Sequence, residues 1–247
     1  YTFAPAFGLP GAGPFAIKTE VHLQMLTLEY NKRFDGRANA PKGKLPYIDD
    51  DGSIIADSTF IRRHLELKHS RDLDAGLNHI QRATAWAVER LAEDNLYWAM
   101  VHSRWAVDEN FYKGPAHFFD HLPQDIQEDA RQKQRAAVLG YLHAQGLGRH
   151  NTEEIAFFAR RGYDALAEIL GDKPYLLGQN PCGADASVFA QIVSALSPWF
   201  ESPVRDAAAS HTNLVAYGER MMSTYFPSFA EANIAGMGCA TMNRKAR

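Results

Sequence analysis

The chain lacks three features, and each absence excludes a class of protein. Cysteine occurs only at Cys182 and Cys239 among 247 residues, which is too few to cross-link a secreted scaffold of this size. No signal peptide is visible either, so a reducing cytoplasm is the expected location. No run reaches the roughly 18 uncharged apolar residues of a spanning helix. The 26 basic and 29 acidic residues give no basic excess for binding the phosphates of a nucleic acid. We therefore expect neither a membrane nor a nucleic acid as partner.

Familiar catalytic signatures are also missing. The sequence has no G-x-S-x-G, C-x-x-C or H-E-x-x-H motif, and the glycines at 36 and 43 are too far apart for a P-loop. The glycine-rich loop at 8–13 does not have the G-x-G-x-x-G spacing of a dinucleotide site. His117 and His121 are four residues apart, but no third ligand accompanies them. A surface helix is therefore favoured over a metal site, and no metal is expected.

The first seventy residues combine short β-prone runs with helical patterns. The predicted strands are 1–3, 29–34, 45–48 and 53–55. The last two flank an Asp-Asp-Asp-Gly turn that is typical of a hairpin. One helix is predicted to begin at Pro14, because proline suits the first helical position, and another at Asp57 or Ser58, which can cap a helix. Residues 1–70 are therefore predicted to form a small α/β domain.

The rest of the chain shows only helical periodicity. After a linker at 70–78, residues from Ile80 to Trp105 recur on one face every three or four positions and predict a single helix of about seven turns. Asn151 and Glu154 have the spacing of a capping box at the start of another helix. Further helices are predicted near 126–142, 183–196 and 213–226. Residues 78–247 are therefore predicted to form an all-α domain.

The most informative constellation is the Lys-Leu-Pro-Tyr-Ile run at 44–48, followed by Asp57 and Ser58 at a helix start. Proline at the beginning of a strand removes a ladder donor. If the Leu45–Pro46 bond is cis, Leu45 can offer its backbone N–H and C=O to an extended ligand. The helix start would offer a hydroxyl and its positive end to a carboxylate. Each feature alone is compatible with a mere strand start or helix cap, but the combination favours a binding site.

Several short motifs resemble one family. The Gly-Lys-Leu-Pro-Tyr run and the Ala-Asp-Ser at 56–58 resemble the thioredoxin-like domain of the glutathione transferase superfamily, and the helical remainder is similar to its second domain. Residues 178–185 resemble that domain's buried N-capping segment. Pro-Phe-x-x-Lys at 14–18 and Asn-Leu-Tyr-Trp at 95–98 resemble the branch of failed axon connections proteins and metaxins. The resemblance implies an α+β two-domain protein, with an N-terminal thioredoxin-like α/β domain and a C-terminal all-α helical bundle.

The resemblance also implies a site for glutathione as co-substrate. Leu45, before a cis-Pro46, would pair with the cysteinyl backbone of the tripeptide. Asp57 and Ser58 would hold the γ-glutamyl end. Lys44, or Lys42 beside it, would reach the glycine carboxylate. Family members are commonly dimers, so a homodimer is expected as well.

The two remaining parts of the implied site are the thiol loop and the electrophile side. The thiolate would be stabilised at the positive end of the first helix, by Gly13, Pro14 and Phe15. A small-molecule electrophile would lie toward the long helix, near Asn95, Trp98 and His102. The alternative interpretation of these last three residues is a core helix face with satisfied polar groups.

The sequence departs from the family pattern at the catalytic position. Many members place Ser or Cys just before the helix-starting proline, where this chain has Gly13, and others use a Tyr where it has Phe3. Neither cysteine lies in that loop, which disfavours cysteine-based redox chemistry. The leading hypothesis is a transferase that conjugates the glutathione thiolate to a small electrophile. The alternatives are a non-catalytic binding or scaffolding protein and a glutathione-dependent isomerase, dehalogenase or hydrolase.

Overall fold

The computed structural model describes residues 1–230, and its N-terminal part is a β-hairpin packed against two helices. Strands β1 (Tyr47–Asp50) and β2 (Ser53–Ala56) pair antiparallel. Their connection is the predicted tight turn, because Asp51 and Gly52 have φ of 55° and 87° and two positive φ values in a row match the twist of a hairpin. Helices α1 (Pro14–Met25) and α2 (Ser58–Lys68) start at the predicted residues.

The predicted strands at 1–3 and 29–34 are wrong as regular strands. The two segments do lie side by side, since the Thr2 N–H donates to the Arg33 C=O at 2.8 Å. The terminal ammonium of Tyr1 also donates to the Tyr47 C=O at 2.8 Å, and their rings stack 4.4 Å apart. A strand requires a succession of such bonds. In the described residues these isolated bonds do not extend into a ladder.

The second part of the structure is helical, as predicted. Its helices are α3 (His79–Arg90), α4 (Tyr97–Trp105), α5 (Asp108–Lys113), α6 (Gln124–Gln145), α7 (Thr152–Leu170), α8 (Gly183–Leu196), α9 (Pro203–Ala209) and α10 (Thr212–Tyr225). The capping box of Asn151 and Glu154 is present at the start of α7. His117 lies in a 3₁₀ turn before α6, and its Nδ1 pairs with Asp120 at 2.8 Å. No described helix is long and apolar enough to cross a bilayer.

The predicted single helix at 79–105 is interrupted. Between α3 and α4, Leu91–Leu96 form a π-helical turn. A π turn inserts an extra residue into the helical ladder and rotates everything after it, and such turns are frequent at functional sites. The apolar periodicity does not reveal this turn, because the chain stays helical from α3 through the π turn into α4. The face predicted from unbroken 3.6-residue spacing is therefore shifted in α4.

Helix α8 forms the centre of the molecule, because nearly all of its residues are buried. Its N-terminus carries the predicted cap, with Asp185 accepting from the Cys182 N–H at 2.8 Å and the Leu176 N–H at 3.0 Å. Helix α1 packs directly on it, and Nε2 of His22 lies 2.9 Å from the Gly183 C=O. Helix α2 ends before the predicted linker at 70–78, and α3 begins after it. The domain bounds of 1–70 and 78–247 stay a prediction.

Candidate functional site

The β-hairpin brings the two halves of the predicted binding site together. Tyr47 pairs with Ala56 in the β1–β2 register, so Leu45 and Pro46, just before β1, lie beside Ser58, just after β2. The Leu45–Pro46 bond is cis, as the resemblance implied. Local sequence produces this arrangement, because the two-residue turn fixes the register and thereby the ends of the hairpin.

Three polar groups at this end of the hairpin have no partner among the described residues. Among the described residues, nothing hydrogen-bonds to the backbone N–H or C=O of Leu45, or to the hydroxyl of Ser58. Ser58 is only 4% exposed. Most buried polar groups in a folded protein are hydrogen-bonded. These groups therefore form an acceptor and donor set that a bound peptide can satisfy.

Asp57 connects the hairpin to α2 in a strained conformation. Its φ is 83°, a region that a non-glycine residue adopts at a cost of about 1–3 kcal/mol and that is concentrated at ligand sites. Its carboxylate caps α2 by accepting from the Thr59 N–H at 2.9 Å. Asp57 is thus already engaged as the helix cap, which orients the first turn of α2 and with it Ser58.

The loop before α1 joins the same end of the molecule through Phe3. The Phe3 ring packs against the cluster of Leu45, Tyr47 and Ala56. A Cβ atom on Gly13 would lie 3.2 Å from that ring. Gly13 is therefore in close contact with the aromatic side chain that covers the hairpin end. The sequence pattern distinguishes Phe3 only as the residue where other members have a tyrosine, whereas in the structure its ring packs between the hairpin end and Gly13.

The start of α1 leaves two backbone donors without a partner near this loop. Pro14 has no N–H, and the N–H groups of Ala16 and Ile17 donate to the Gly13 C=O at 3.1 and 3.4 Å. The N–H groups of Gly13 and Phe15 have no partner among the described residues. Gly13 provides no side-chain cap. Stabilisation of an anion at this helix end would come from these two N–H groups and the helix dipole.

The two candidate lysines at the edge of the site differ in their surroundings. Lys44 is exposed and pairs with no described residue. The Lys42 ammonium lies 4.5 Å from the centre of the Phe60 ring, which holds it at the surface of α2. Both remain candidates for a ligand carboxylate, and the structure leaves Lys44 the more available.

On the helical side, a different residue from those predicted faces the thiol loop. The ring of Tyr97, the first residue of α4, meets the Phe15 ring edge-on at 4.9 Å. Trp98 instead packs into the hydrophobic clusters of the helical domain, which favours the core interpretation for it. Half-burial lowers the pKa of His102, while Asn95 lies within the π turn. The residue that faces the thiol loop is therefore Tyr97 instead of Trp98, because the π turn rotates α4 relative to α3.

A buried ion network between the two parts of the chain was not identified from the sequence. The Lys18 ammonium, 1% exposed, lies 2.6 Å from Glu93 Oε1 and 3.2 Å from Glu89 Oε2. Burial opposes the ionisation of Glu93, but the Lys18 charge and the Ser187 hydroxyl outweigh it, so the pKa of Glu93 lies below its ordinary value. The one feature of the sequence that pointed to this network is the lysine of the Pro-Phe-x-x-Lys motif, which is Lys18.

The buried cysteine has no nucleophilic character. Cys182 is fully enclosed at the start of α8, and burial together with the nearby Asp185 raises the pKa of its thiol. A cysteine that reacts as a thiolate needs a lowered pKa and access to solvent. Cys239 lies outside the described residues. The described residues also contain no cluster of His, Cys, Asp and Glu that could hold a metal ion.

Comparison with known proteins identifies the family. The family model of the glutathione S-transferase N-terminal domain matches residues 14–111, and that of the C-terminal domain matches residues 159–221. The isoprene-epoxide–glutathione S-transferase of Rhodococcus sp. strain AD45 is 32% identical over 91% of this chain and 98% of its own length. Failed axon connections of Drosophila melanogaster is 30% identical over 94% of this chain and 58% of its own length.

Structural comparison agrees at the level of the fold. A β-etherase from Sphingobium sp. strain SYK-6 superposes with a TM-score of 0.65 at 18% identity, over 90% of this chain and 96% of that structure. At such identity the likeness concerns the fold. Metaxins also match the sequence at lower identity than the two relatives above. The chain therefore belongs to the glutathione transferase superfamily, in the branch that it shares with failed axon connections and the metaxins.

Proposed function

We propose that the protein binds glutathione at the end of the β-hairpin and conjugates its thiolate to a small electrophile. One observation carries the proposal: the unpaired backbone groups of Leu45 and the unpaired hydroxyl of Ser58 lie at the same hairpin end, and Phe3, which packs there, also borders Gly13 at the start of α1. Those groups match a tripeptide with a backbone to pair, a carboxylate at one end and a thiol in the middle. Membership in the family supports the same ligand.

Each group has a distinct role in this proposal. Leu45 pairs with the cysteinyl backbone, and Ser58 at the start of α2 receives the γ-glutamyl carboxylate. Lys44 is placed to reach the glycine carboxylate. The sulfur then lies near the start of α1, where the Phe15 N–H and the positive helix end favour the thiolate over the thiol.

The reaction itself is a displacement without a covalent enzyme intermediate. The glutathione thiol releases its proton to solvent, and the thiolate attacks the electrophilic carbon. A carbon–sulfur bond forms while the bond to the leaving atom breaks, and that atom takes the electron pair. If the electrophile is an epoxide, as the name of the Rhodococcus relative indicates for that enzyme, the ring oxygen leaves and takes a proton from water. The protein contributes by lowering the thiol pKa and by orienting both reactants.

The electrophile is placed between the thiol loop and α4. The edge-on contact of Phe15 and Tyr97 marks the point where the two parts of the chain meet nearest to the proposed sulfur position. A cytoplasmic homodimer belongs to the same proposal. It is supported by the low cysteine content and by the resemblance to the family.

The first test is binding of glutathione itself. Isothermal titration calorimetry of the full chain should detect binding at millimolar glutathione or below. The absence of any heat of binding at that concentration would remove both the site and the activity. Turnover is then measured as loss of free thiol with a panel of epoxides and alkyl halides.

Replacing the proposed carboxylate ligand tests the site more locally. Ser58→Ala removes a hydroxyl donor from the γ-glutamyl carboxylate, so we expect glutathione to bind about 5- to 150-fold more weakly, equivalent to about 1–3 kcal/mol. The matched control is Ser53→Ala, which removes an exposed serine from the other end of β2 and should leave the dissociation constant unchanged. If Ser58→Ala and the wild type bind glutathione with equal affinity, Ser58 only starts α2 and does not contact the ligand.

A non-catalytic binding protein is the second candidate. It is favoured by one specific observation, the absence of any side chain at Gly13 that could contact the sulfur. Such a protein would bind glutathione, or fail to bind it, without turnover of any electrophile in the panel. Glutathione-dependent isomerase, dehalogenase or hydrolase activity is distinguished by product analysis, because glutathione would be regenerated instead of consumed.

A further inference from the structure

Helix α4 carries a buried arginine that has no negative partner. Arg104 is only 5% exposed, and its Nη2 donates to the backbone C=O of Ser194 at 2.6 Å. No carboxylate of the described residues forms an ion pair with it. A guanidinium has five N–H donors, and this contact uses one of them. The other donors of Arg104 have no partner among the described residues.

A second arginine, partly buried, shows what a purely structural site in this chain looks like. Arg62 is surrounded by three carboxylates at 2.7 to 3.1 Å, namely Glu66, Asp74 and Glu89. Burial lowers the pKa of Arg104 to about 10, and the two groups that oppose this, Tyr97 and Tyr163, are phenols. Their own pKa values are raised by burial, so both are neutral near pH 7. The positive charge of Arg104 is therefore uncompensated.

The position of Arg104 joins it to the proposed electrophile site. Its guanidinium lies 4.5 Å from the centre of the Phe200 ring and 5.7 Å from that of Phe7. Phe7 belongs to the loop that leads to Gly13, and it is held at a φ of 58° while its C=O accepts from the Ser197 hydroxyl at 2.8 Å. On the other side, Tyr97 of the same helix contacts Phe15.

We propose that Arg104 binds a carboxylate on the electrophile, so that the protein prefers small anionic electrophiles with an apolar body. This inference rests on the proposed function, because it names the class of second substrate for the same site. The free donors of Arg104 would take the carboxylate by charge-assisted hydrogen bonds. The rings of Phe7 and Phe200 would pack against the apolar body.

The physical argument is that a buried charge without a partner is costly. Attraction to the faces of two aromatic rings and one carbonyl contact recovers part of the lost hydration, but neither supplies a negative charge. A ligand carboxylate would supply it. Uncompensated groups of this kind are found where a site serves a ligand instead of the stability of the fold.

The test uses a matched pair of probes that does not depend on glutathione. Hexanoate and hexanamide have the same shape, and only the first is charged. Wild-type protein should bind hexanoate about tenfold or more tightly than hexanamide, as measured by calorimetry, because of the charge-assisted bonds. Equal affinity for the two probes in the wild-type protein would overturn the inference without any variant.

Two variants localise the effect. Arg104→Met keeps the length of the side chain and removes the charge, and it should equalise the two affinities. The control is Arg135→Met, because Arg135 also lies over an aromatic ring, that of Phe111 at 4.6 Å, but has a carboxylate partner in Asp108. Arg135→Met should retain the preference for hexanoate. An unchanged preference in Arg104→Met would contradict the assignment.

Kinetics separate this inference from the proposed function. With glutathione, 4-(chloromethyl)benzoate should react with a higher kcat/KM than 4-(chloromethyl)benzamide, mainly through KM, and Arg104→Met should remove the difference. In this reaction the carbon–sulfur bond forms and the carbon–chlorine bond breaks, releasing chloride. Turnover of both compounds at equal efficiency overturns the role of Arg104 and leaves the transferase intact. Selective hexanoate binding without glutathione binding overturns the transferase and leaves the anion site.

Discussion

Gly13 is the residue at which this chain differs most from the family pattern. It precedes Pro14 in extended conformation, with φ of −131°, a geometry that any residue can adopt. Glycine is therefore not required there by the backbone. The Phe3 ring lies against the space that a side chain would occupy, so a small side chain fits only if that ring moves by a few tenths of an ångström.

We expect Gly13→Ser to increase the rate of conjugation. The serine hydroxyl would lie at the start of α1, where it can donate to the thiolate and lower the pKa of the bound thiol. The measurement is the pH dependence of the ultraviolet absorption of enzyme-bound thiolate, together with kcat/KM. Gly13→Ala is the matched control, since it makes the same contact with Phe3 but has no hydroxyl. Equal behaviour of the two variants would show that the hydroxyl does not reach the sulfur.

Among the elements, α8 depends most on a single side chain. Asp185 at its third position accepts from the backbone of Cys182 and Leu176 and from the Tyr217 hydroxyl at 2.9 Å. The carboxylate thus joins the first turn of α8 to the preceding loop and to α10. Burial raises the pKa of Asp185 although all these donors act in the opposite direction.

Asp185→Ala should therefore destabilise the protein by about 3 kcal/mol or more, because it leaves several buried donors without an acceptor. The free energy of unfolding in urea measures this loss. Asp206→Ala, at the surface in the first turn of α9, is the comparison and should change it by less than about 0.5 kcal/mol. Similar losses in the two variants would disprove the role given to the cap.

At the scale of the whole molecule, the two parts of the chain are held together by charge as well as by apolar contact. Lys18 of α1 reaches Glu89 and Glu93, and Arg62 of α2 reaches Glu89 and Asp74. Two cations from the N-terminal part thus meet three carboxylates, one within the predicted linker and two after it. The π turn contributes to this junction, because Glu93 belongs to it.

Lys18→Met should lower the free energy of unfolding by about 3–5 kcal/mol, because it removes one partner from a buried ion pair and leaves the carboxylates in place. Urea unfolding is again the measurement. Lys32→Met breaks a more exposed pair with Glu20 and should cost no more than about 1 kcal/mol. Arg62 also pairs with Glu89, and Arg90 pairs with Glu93. A Lys18 variant as stable as the Lys32 variant would mean that these two arginines satisfy the carboxylates without Lys18.

The sequence alone determined the elements whose signals are local. Pro14 and Ser58 begin α1 and α2, the Asp-Gly turn closes the hairpin, and Asn151 caps α7. Turn chemistry and capping act within a few residues, so they can be recognised without knowing the rest of the chain. The order of these elements was also sufficient to indicate the family.

Only the tertiary structure decided which side chains share a space. Trp98, predicted at the site, is half-buried against two hydrophobic clusters, while Tyr97 is the residue of α4 that contacts Phe15, after the π turn. Arg104 gave no signal in the sequence, since a basic residue near the end of a helix is ordinarily exposed. Its burial and its lack of a partner depend on contacts across long sequence separations, with rings and a carbonyl that no local pattern predicts.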